Sequence, residues 1–187
     1  MASRTRRPTW RDRGRRPPRT VSAFLASLLF LSSLAPGCGY TLRSALPSNL
    51  KSIAIPVFGN NTVEFGIADD VTQALVNGFL NDRHLKIVQE RDADSVLRGT
   101  VLAYKNQVFG YTSQERATEY EVVLTVQIAF RDVGRNRDLW KEDALTVRST
   151  YNVVAVGAEA AKTEADGRRD AVQKLADLVV SRTVQGW

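Results

Sequence analysis

Apolar and polar residues alternate most regularly over residues 118–131. Successive side chains of a strand point to opposite faces of a sheet, so this repeat of two predicts a strand with one buried face. The face predicted to be buried carries Tyr120, Val122, Leu124, Val126, Ile128 and Phe130. The opposite face carries Glu119, Glu121, Thr125, Gln127 and Arg131. Turn-forming residues at 133–137 then predict a hairpin to a return strand over residues 139–151.

Two stretches repeat their apolar residues with the helical period of 3.6. In residues 64–81 the apolar stripe carries Ile67, Val71, Ala74, Leu75, Gly78 and Phe79. In residues 158–183 the stripe carries Ala171, Leu175, Leu178 and Val179. Because Gly78 lies on the first stripe and has no side chain, we predict that this helix packs closely on a sheet there.

The remaining segments predict shorter and longer strands. Residues 50–58 are apolar and β-branched and predict a strand buried on both faces, and residues 59–62 predict a turn. Residues 84–89 predict a short strand and residues 95–109 a long one, in which Gly99 indicates a bulge or a close backbone approach. The order β-α-β-β-β-β-α predicts an α+β fold, a mixed, mostly antiparallel sheet with two helices packed on one face.

The N-terminal residues have the composition of an export signal. Residues 1–20 hold eight arginines and one acid, and residues 21–34 form an uncharged apolar run. That run is shorter than the roughly 20 residues that a membrane-spanning helix needs. Cys38, the only cysteine, follows small residues at the end of the run and resembles the acylated cysteine of bacterial lipoproteins.

We therefore predict a lipoprotein signal peptide at residues 1–37, a lipidated tether at residues 38–49 and one α+β domain at residues 50–187. The only cofactor predicted is the covalent lipid on Cys38. The residues just before Cys38 depart from the usual lipobox, so an ordinary secretory signal that leaves a free thiol is the alternative. Two arginine pairs in the first 20 residues leave a twin-arginine signal as a further alternative.

The net charge changes when the signal is set aside. The whole chain has 26 basic and 20 acidic residues, a net charge of +6. Residues 1–37 hold eight of the basic and one of the acidic residues, which leaves 18 and 19 and a net charge of −1. The basic character thus belongs to the signal, and the sequence predicts no nucleic-acid partner.

No residues of the predicted domain combine into a catalytic or metal-binding motif. His84 has no second histidine or cysteine to join it there. Asp92 and Asp94 have the spacing of an acid/base pair, but aspartate is common in turns because it accepts backbone hydrogen bonds. The chain contains no nucleophile elbow, P-loop or HExxH motif. We therefore predict a binding or assembly protein that is not an enzyme and holds no metal.

Five segments, in order along the chain, resemble one protein family. They are residues 38–43 (CGYTLR), 50–58 (LKSIAIPVF), 118–126 (TEYEVVLTV), 139–140 (LW) and 147–149 (VRS). The family is LptE, the lipopolysaccharide-assembly lipoproteins. The resemblance implies two helices on one face of a mixed sheet and a lipid anchor in the outer membrane of a Gram-negative bacterium. It also implies that the protein plugs the β-barrel translocon LptD and assists delivery of lipopolysaccharide to the cell surface.

The resemblance further implies two contacts with lipopolysaccharide. Family members use one basic residue just before the TEY strand and one near the start of the last helix. The nearest positions in this chain are Arg116 and Lys162. Phosphate groups on lipid A would pair with such cations. The alternative is that both are ordinary solvated surface residues.

Two other functions remain open from the sequence. The β-α-β opening over residues 53–91 is also similar to lipoproteins that activate penicillin-binding proteins or build curli-type secretion assemblies. A periplasmic hydrolase is the third class. A pull-down separates the three, because they require an outer-membrane barrel, a peptidoglycan synthase or self-assembled ring, and a substrate that is turned over.

Overall fold

The computed structural model describes residues 46–185, which fall within one compact unit of the chain. The predicted signal peptide, Cys38 and most of the predicted tether lie outside the described residues. The described elements are β1 (Ser52–Ala54), β2 (Gly59–Asn60), α1 (Ile67–Asp82), β3 (Lys86–Ile87), a 3₁₀ helix (Glu90–Asp92), β4 (Ser95–Tyr111), β5 (Ala117–Asp132), β6 (Arg137–Asn152) and α2 (Glu164–Gln185).

The strands form one mixed sheet in the order β3-β1-β4-β5-β6, with β2 also paired to β4. β1 runs parallel to β3 and β4, and β2 runs parallel to β4. The long strands β4, β5 and β6 pair antiparallel, and the two helices pack on one face of the sheet. The predicted α+β class and its mostly antiparallel sheet are therefore confirmed.

The first predicted strand is interrupted, and the prediction of a turn after it is wrong in its first half. Only the middle of residues 50–58 forms β1, and the first half of the predicted turn at 59–62 forms β2. Pro56 has no N–H to donate to a ladder, and it separates the two strands. The N–H of Asn61 then donates to the carbonyl of Val101 over 2.9 Å. Backbone pairing with the long β4 thus extends a segment whose composition favours a turn.

The second helix begins at Glu164, later than the periodicity from residue 158 predicts. Thr163 caps it. The N–H and Oγ1 of Thr163 donate to the Asp166 carboxylate over 2.9 and 2.7 Å, and the Asp166 N–H points back to Thr163 Oγ1 over 3.4 Å, as in a capping box. The residues ahead of the cap turn at Gly157, whose φ is +60°. No helix of residues 46–185 is both long enough and apolar enough to cross a bilayer.

The core lies between the sheet and the helices. The predicted inner face of β5 is confirmed, since its side chains from Val122 to Phe130 are buried and Tyr120 stacks on Tyr151 with the ring centroids 5.7 Å apart. The α2 stripe is confirmed at Ala171, Leu175 and Val179 and is wrong at Leu178, which is 43% exposed. At 100° per residue, Leu178 lies to one side of the packed stripe.

Two glycines allow close contacts that a side chain would block. A Cβ atom at Gly78 would lie 3.0 Å from Val180 of α2, so this glycine allows the two helices to approach each other. The prediction that it packs a helix closely on the sheet is therefore wrong. A Cβ atom at Gly99 would lie 2.3 Å from the Phe58 ring and 2.6 Å from the carbonyl oxygen of Gln127. The predicted close backbone approach at Gly99 is therefore confirmed.

Candidate functional site

Arg116 lies in the turn that joins β4 to β5. The N–H of Thr112 donates to the Arg116 carbonyl over 2.8 Å, and the Arg116 N–H donates to Thr112 Oγ1 over 3.2 Å. Glu115 takes the positive φ, 57°, that closes the turn. The Arg116 side chain is exposed, and no carboxylate of residues 46–185 forms an ion pair with it. Its guanidinium is therefore available to an external anion.

Lys162 lies in the segment that leads from β6 into α2. Its N–H donates to the Asn152 carbonyl at the end of β6 over 2.7 Å. Its Nζ lies 2.9 Å from a carboxylate oxygen of Asp170, and this hydrogen bond raises the pKa of Lys162. The ammonium group is therefore charged at neutral pH but already has a partner, unlike Arg116.

Both cations lie at the same end of the sheet. The N–H of Val153 donates to the Thr118 carbonyl over 3.0 Å, which places the exit of β6 beside the start of β5. We call the turn 112–116 and the segment 153–163, with the adjoining end of β4, the distal end. Its large exposed apolar side chains are Phe109, Tyr111, Val154 and Val156.

The distal end therefore combines cations with apolar surface. Such a combination suits an amphiphile that carries both phosphate groups and acyl chains. Sequence reasoning located the two cations but missed the apolar residues around them. The only signal in the sequence is the pair of aromatic residues in Phe109-Gly110-Tyr111, directly before a polar turn.

The sheet face opposite the helices is largely polar, and the 3₁₀ helix and Ala93 cover it only at the end near Ala54 and Val96. We call it the open face. On it, Thr125 and Thr146 share a hydrogen bond of 3.0 Å between their hydroxyl groups, and Gln127 donates to Asp143 over 3.1 Å. An antiparallel sheet with one solvated face normally shows this alternation. The open face is thus a broad polar surface whose side chains are already hydrogen-bonded to one another.

Glu121 of the open face is an exception to its predicted exposure. The residue is only 6% exposed, whereas the alternation predicts an outward-facing carboxylate. Gln107 donates to its Oε2 over 3.1 Å, and Arg148 pairs with the same oxygen over 3.0 Å. Long side chains on the neighbouring strands cover it, and a one-strand pattern cannot reveal them.

The acidic and basic residues that sequence reasoning weighed for catalysis have local partners. Asp94 accepts hydrogen bonds from the N–H groups of Lys51 and Ser52, each over 3.0 Å, and these lower its pKa. It therefore ties β1 to the start of β4. His84 lies beside Asp82 on the surface, with 2.8 Å between Nδ1 and the carboxylate. Residues 46–185 contain no group of three histidine, cysteine or acidic side chains close enough to hold a metal ion.

A family model for lipopolysaccharide assembly, LptE, matches residues 50–183. The matched region contains every described strand, Arg116 and Lys162. This chain belongs to the LptE family. Membership makes it a lipopolysaccharide-assembly lipoprotein of the Gram-negative cell envelope. A search of the curated proteins finds no match.

Solved structures share the fold at low sequence identity. A protein from Xanthomonas campestris has a TM-score of 0.54 and 12% identity, over 75% of this chain and 87% of its own. A hypothetical protein from Chlamydia trachomatis has a TM-score of 0.51 and 10% identity, over 73% and 97%. A minor lipoprotein from Acinetobacter baumannii has a TM-score of 0.47 and 20% identity, over 73% and 92%. The first two extend the LptE fold to distant sequences and show nothing beyond the fold.

Proposed function

We propose that this protein is an outer-membrane lipoprotein, acylated on Cys38, that plugs the LptD barrel translocon and assists delivery of lipopolysaccharide to the cell surface. The observation that carries the proposal is the family match over residues 50–183. Its partners are then LptD, lipopolysaccharide and, through the lipid, the membrane. The protein contributes binding and no catalytic step.

The open face supports the plugging role. The interior of a large outer-membrane barrel is polar, because lipid-facing and lumen-facing residues alternate along its strands. The hydroxyl and amide groups around Thr125 and Gln127 suit such a wall, since each can exchange its present hydrogen bond for one across an interface. The helices cover the other face and leave this one free for a partner.

Replacing Thr125 by tryptophan should prevent the open face from packing against the inner wall of the LptD barrel. Thr125 lies mid-strand on the open face, and its hydroxyl shares a hydrogen bond with that of Thr146. Tryptophan is favourable in strands, so the domain should still fold. We expect the amount of co-purified LptD to fall at least about tenfold, which needs only about 1.4 kcal/mol of lost contact.

Gln73→Trp is the matched control. Gln73 is exposed on α1, where its side chain contacts Asn77, and it lies in the helix layer and not on the open face. This variant should co-purify LptD at the wild-type level. Equal recovery with both variants would reject the open face as the contact surface. Recovery of a peptidoglycan synthase in place of the barrel would instead support the rival assignment.

The two cations of the distal end should differ in their contribution to lipopolysaccharide binding. Arg116 has no ion pair among the described residues, whereas Lys162 is paired with Asp170. We expect Arg116→Asp to weaken binding at least about tenfold, the equivalent of one lost charged hydrogen bond. Lys162→Gln should weaken it less. Binding of purified lipopolysaccharide to the wild-type and variant proteins measures both effects.

Arg91→Asp supplies the charge-matched control for that measurement. Arg91 is an exposed residue of the 3₁₀ helix, away from the distal end, and pairs only with its neighbour Asp92 among the ion pairs observed. Its replacement changes the net charge as Arg116→Asp does. If the two variants lose the same affinity, the effect is general electrostatics, and Arg116 is a surface residue without a specific role.

A further inference from the structure

Two rows of residues cross the open face, and each row places an uncharged residue of β5 between a basic residue of β4 and one of β6. The first row is Arg98, Ala129 and Lys141, and the second is Lys105, Val123 and Arg148. Residues paired directly across neighbouring strands point to the same side of the sheet. The open face therefore carries two pairs of cations, and one short side chain separates the members of each pair.

Three of these four cations already have a carboxylate partner within the domain. The ion pairs are Arg98–Glu90, Lys141–Asp143 and Arg148–Glu121. Lys105 differs, because its exposed side chain forms no ion pair or hydrogen bond with any of residues 46–185. In the second row, the protein itself therefore balances the charge of Arg148 but not the charge of Lys105.

The second row, which we call the basic site, has the geometry to bind a carboxylate. Val123 is half-buried and short, and it lies between two longer side chains whose strands are each about 4.8 Å from its own. Arg148 donates one guanidinium N–H to Glu121 over 3.0 Å, and its side chain forms no other hydrogen bond with the described residues. Because a guanidinium has five N–H donors and an ammonium has three, an anion above Val123 can accept from both cations.

The proposed function places the basic site against the wall of the barrel lumen. Val123 lies two residues from Thr125 on β5, on the surface that the Thr125→Trp variant is designed to obstruct. Contact with the wall removes water from the Lys105 ammonium group, and a charge buried without a partner is strongly destabilising. A carboxylate on the wall offsets that cost, whereas a cation on the wall adds to it. Packing of the open face therefore requires an acidic residue opposite the basic site.

We propose that the carboxylate of an aspartate or glutamate on the LptD lumen wall binds at the basic site, between Lys105 and Arg148. This inference rests on the proposed function, because it requires the barrel partner. The wall carboxylate balances the one charge of the two rows that the described domain leaves unpaired. Because the basic site lies on one face of the sheet, the contact also selects which side of the domain meets that part of the wall. A lipid on a flexible tether does not make that selection.

Zero-length crosslinking tests this contact. The full-length protein is purified in complex with LptD and treated with a water-soluble carbodiimide, which joins an ammonium group to a touching carboxylate as an amide with loss of one water. Mass spectrometry of the peptides should recover Lys105 joined to an acidic residue of LptD. Lys141 is the matched control, since it lies on the same face but is paired with Asp143 over 2.7 Å. Its crosslinks to LptD should be far fewer.

Charge reversal at Lys105 supplies an independent test. We expect Lys105→Glu to lower the amount of co-purified LptD at least about tenfold, because two carboxylates then face each other at the basic site. Lys105→Arg keeps the charge and should recover LptD at the wild-type level. Lys86→Glu makes the same change of net charge at an exposed position on β3, two strands from β4, and should also recover the wild-type amount. Changing the crosslinked LptD residue to lysine should restore recovery by Lys105→Glu.

The outcomes separate this inference from the proposed function. Failure of the wild-type protein to recover LptD rejects both. Recovery of LptD that Lys105→Glu leaves unchanged, without a Lys105 crosslink, rejects the inference alone. If Lys105→Glu retains LptD and instead weakens binding of purified lipopolysaccharide, the basic site holds a lipid phosphate and the wall contact is overturned. The crosslink is measured on the wild-type protein, so its result does not depend on the folding of a variant.

Discussion

Leu124→Ala will lower the free energy of unfolding by roughly 2–5 kcal/mol, a large share of the 5–15 kcal/mol that stabilises a typical domain. Leu124 is fully buried in the middle of β5, between Tyr104 on β4 and Val147 on β6. It belongs to the same core cluster as Leu175 of α2. Truncation leaves a cavity where the sheet and the helices meet, and strands held on both sides cannot collapse into it. Thermal unfolding should show a midpoint lower by about 10 °C.

Glu121→Ala and Thr125→Ala measure the other face of the same strand. Thr125 shares one hydrogen bond with Thr146 on the solvated side, so its replacement should cost well under 1 kcal/mol. Glu121 is buried, but Gln107 and Arg148 can both turn to water after the carboxylate is removed, so about 1 kcal/mol is expected. Equal losses for Leu124→Ala and Thr125→Ala would mean that the assignment of faces is wrong.

If the proposed lipid anchor is right, Cys38→Ala will abolish stable attachment of the protein to its membrane. One acyl chain holds a protein to a bilayer only marginally, whereas the three chains of a mature lipoprotein hold it firmly. Alanine removes the sulfur atom on which the proposal places the lipid. We therefore expect loss of incorporated labelled palmitate and a shift of the protein from the membrane fraction to a soluble or uncleaved form. Metabolic labelling and fractionation of cells measure both changes.

Cys38→Ser is the conservative companion to that variant. It preserves the size of the side chain and replaces the thiol, so it should lose the lipid as completely as alanine does. Palmitate incorporation that persists in either variant would place the anchor elsewhere. Wild-type protein that carries a free thiol at Cys38 would favour the ordinary secretory signal and contradict the anchor.

The strand and helix periods are the features that residue order alone determines. A period of two along β5 specifies which side chains meet the core, because a shift of one residue would expose the whole apolar set. The prediction of that face holds from Val122 to Phe130. It fails at Glu121, where Gln107 and Arg148 cover the carboxylate from strands that are distant in the chain. Cross-strand neighbours depend on pairing register, which no single segment encodes.

The ends of strands and the neighbours of glycines also depend on contacts with residues that are distant in the chain. Residues 59–62 have the composition of a turn, yet pairing with β4 makes their first half a strand. The stripe that contains Gly78 indicates a close contact there, but only the packed molecule shows Val180 of the second helix as the neighbour. Local composition sets what a segment prefers, and tertiary contacts decide among conformations of similar energy.

The sequence by itself determined the α+β class and the two faces of β5, because both follow from the period of apolar residues. It also determined the resemblance to LptE, which follows from five short segments that occur in the same order along the chain. It also located Arg116 and Lys162 through that resemblance. Only the tertiary structure decided that both lie at the distal end and that Asp170 engages Lys162. It likewise decided that Lys105 and Arg148 flank Val123 on the open face. Those relations join residues far apart in the chain, and folding alone brings them within contact distance.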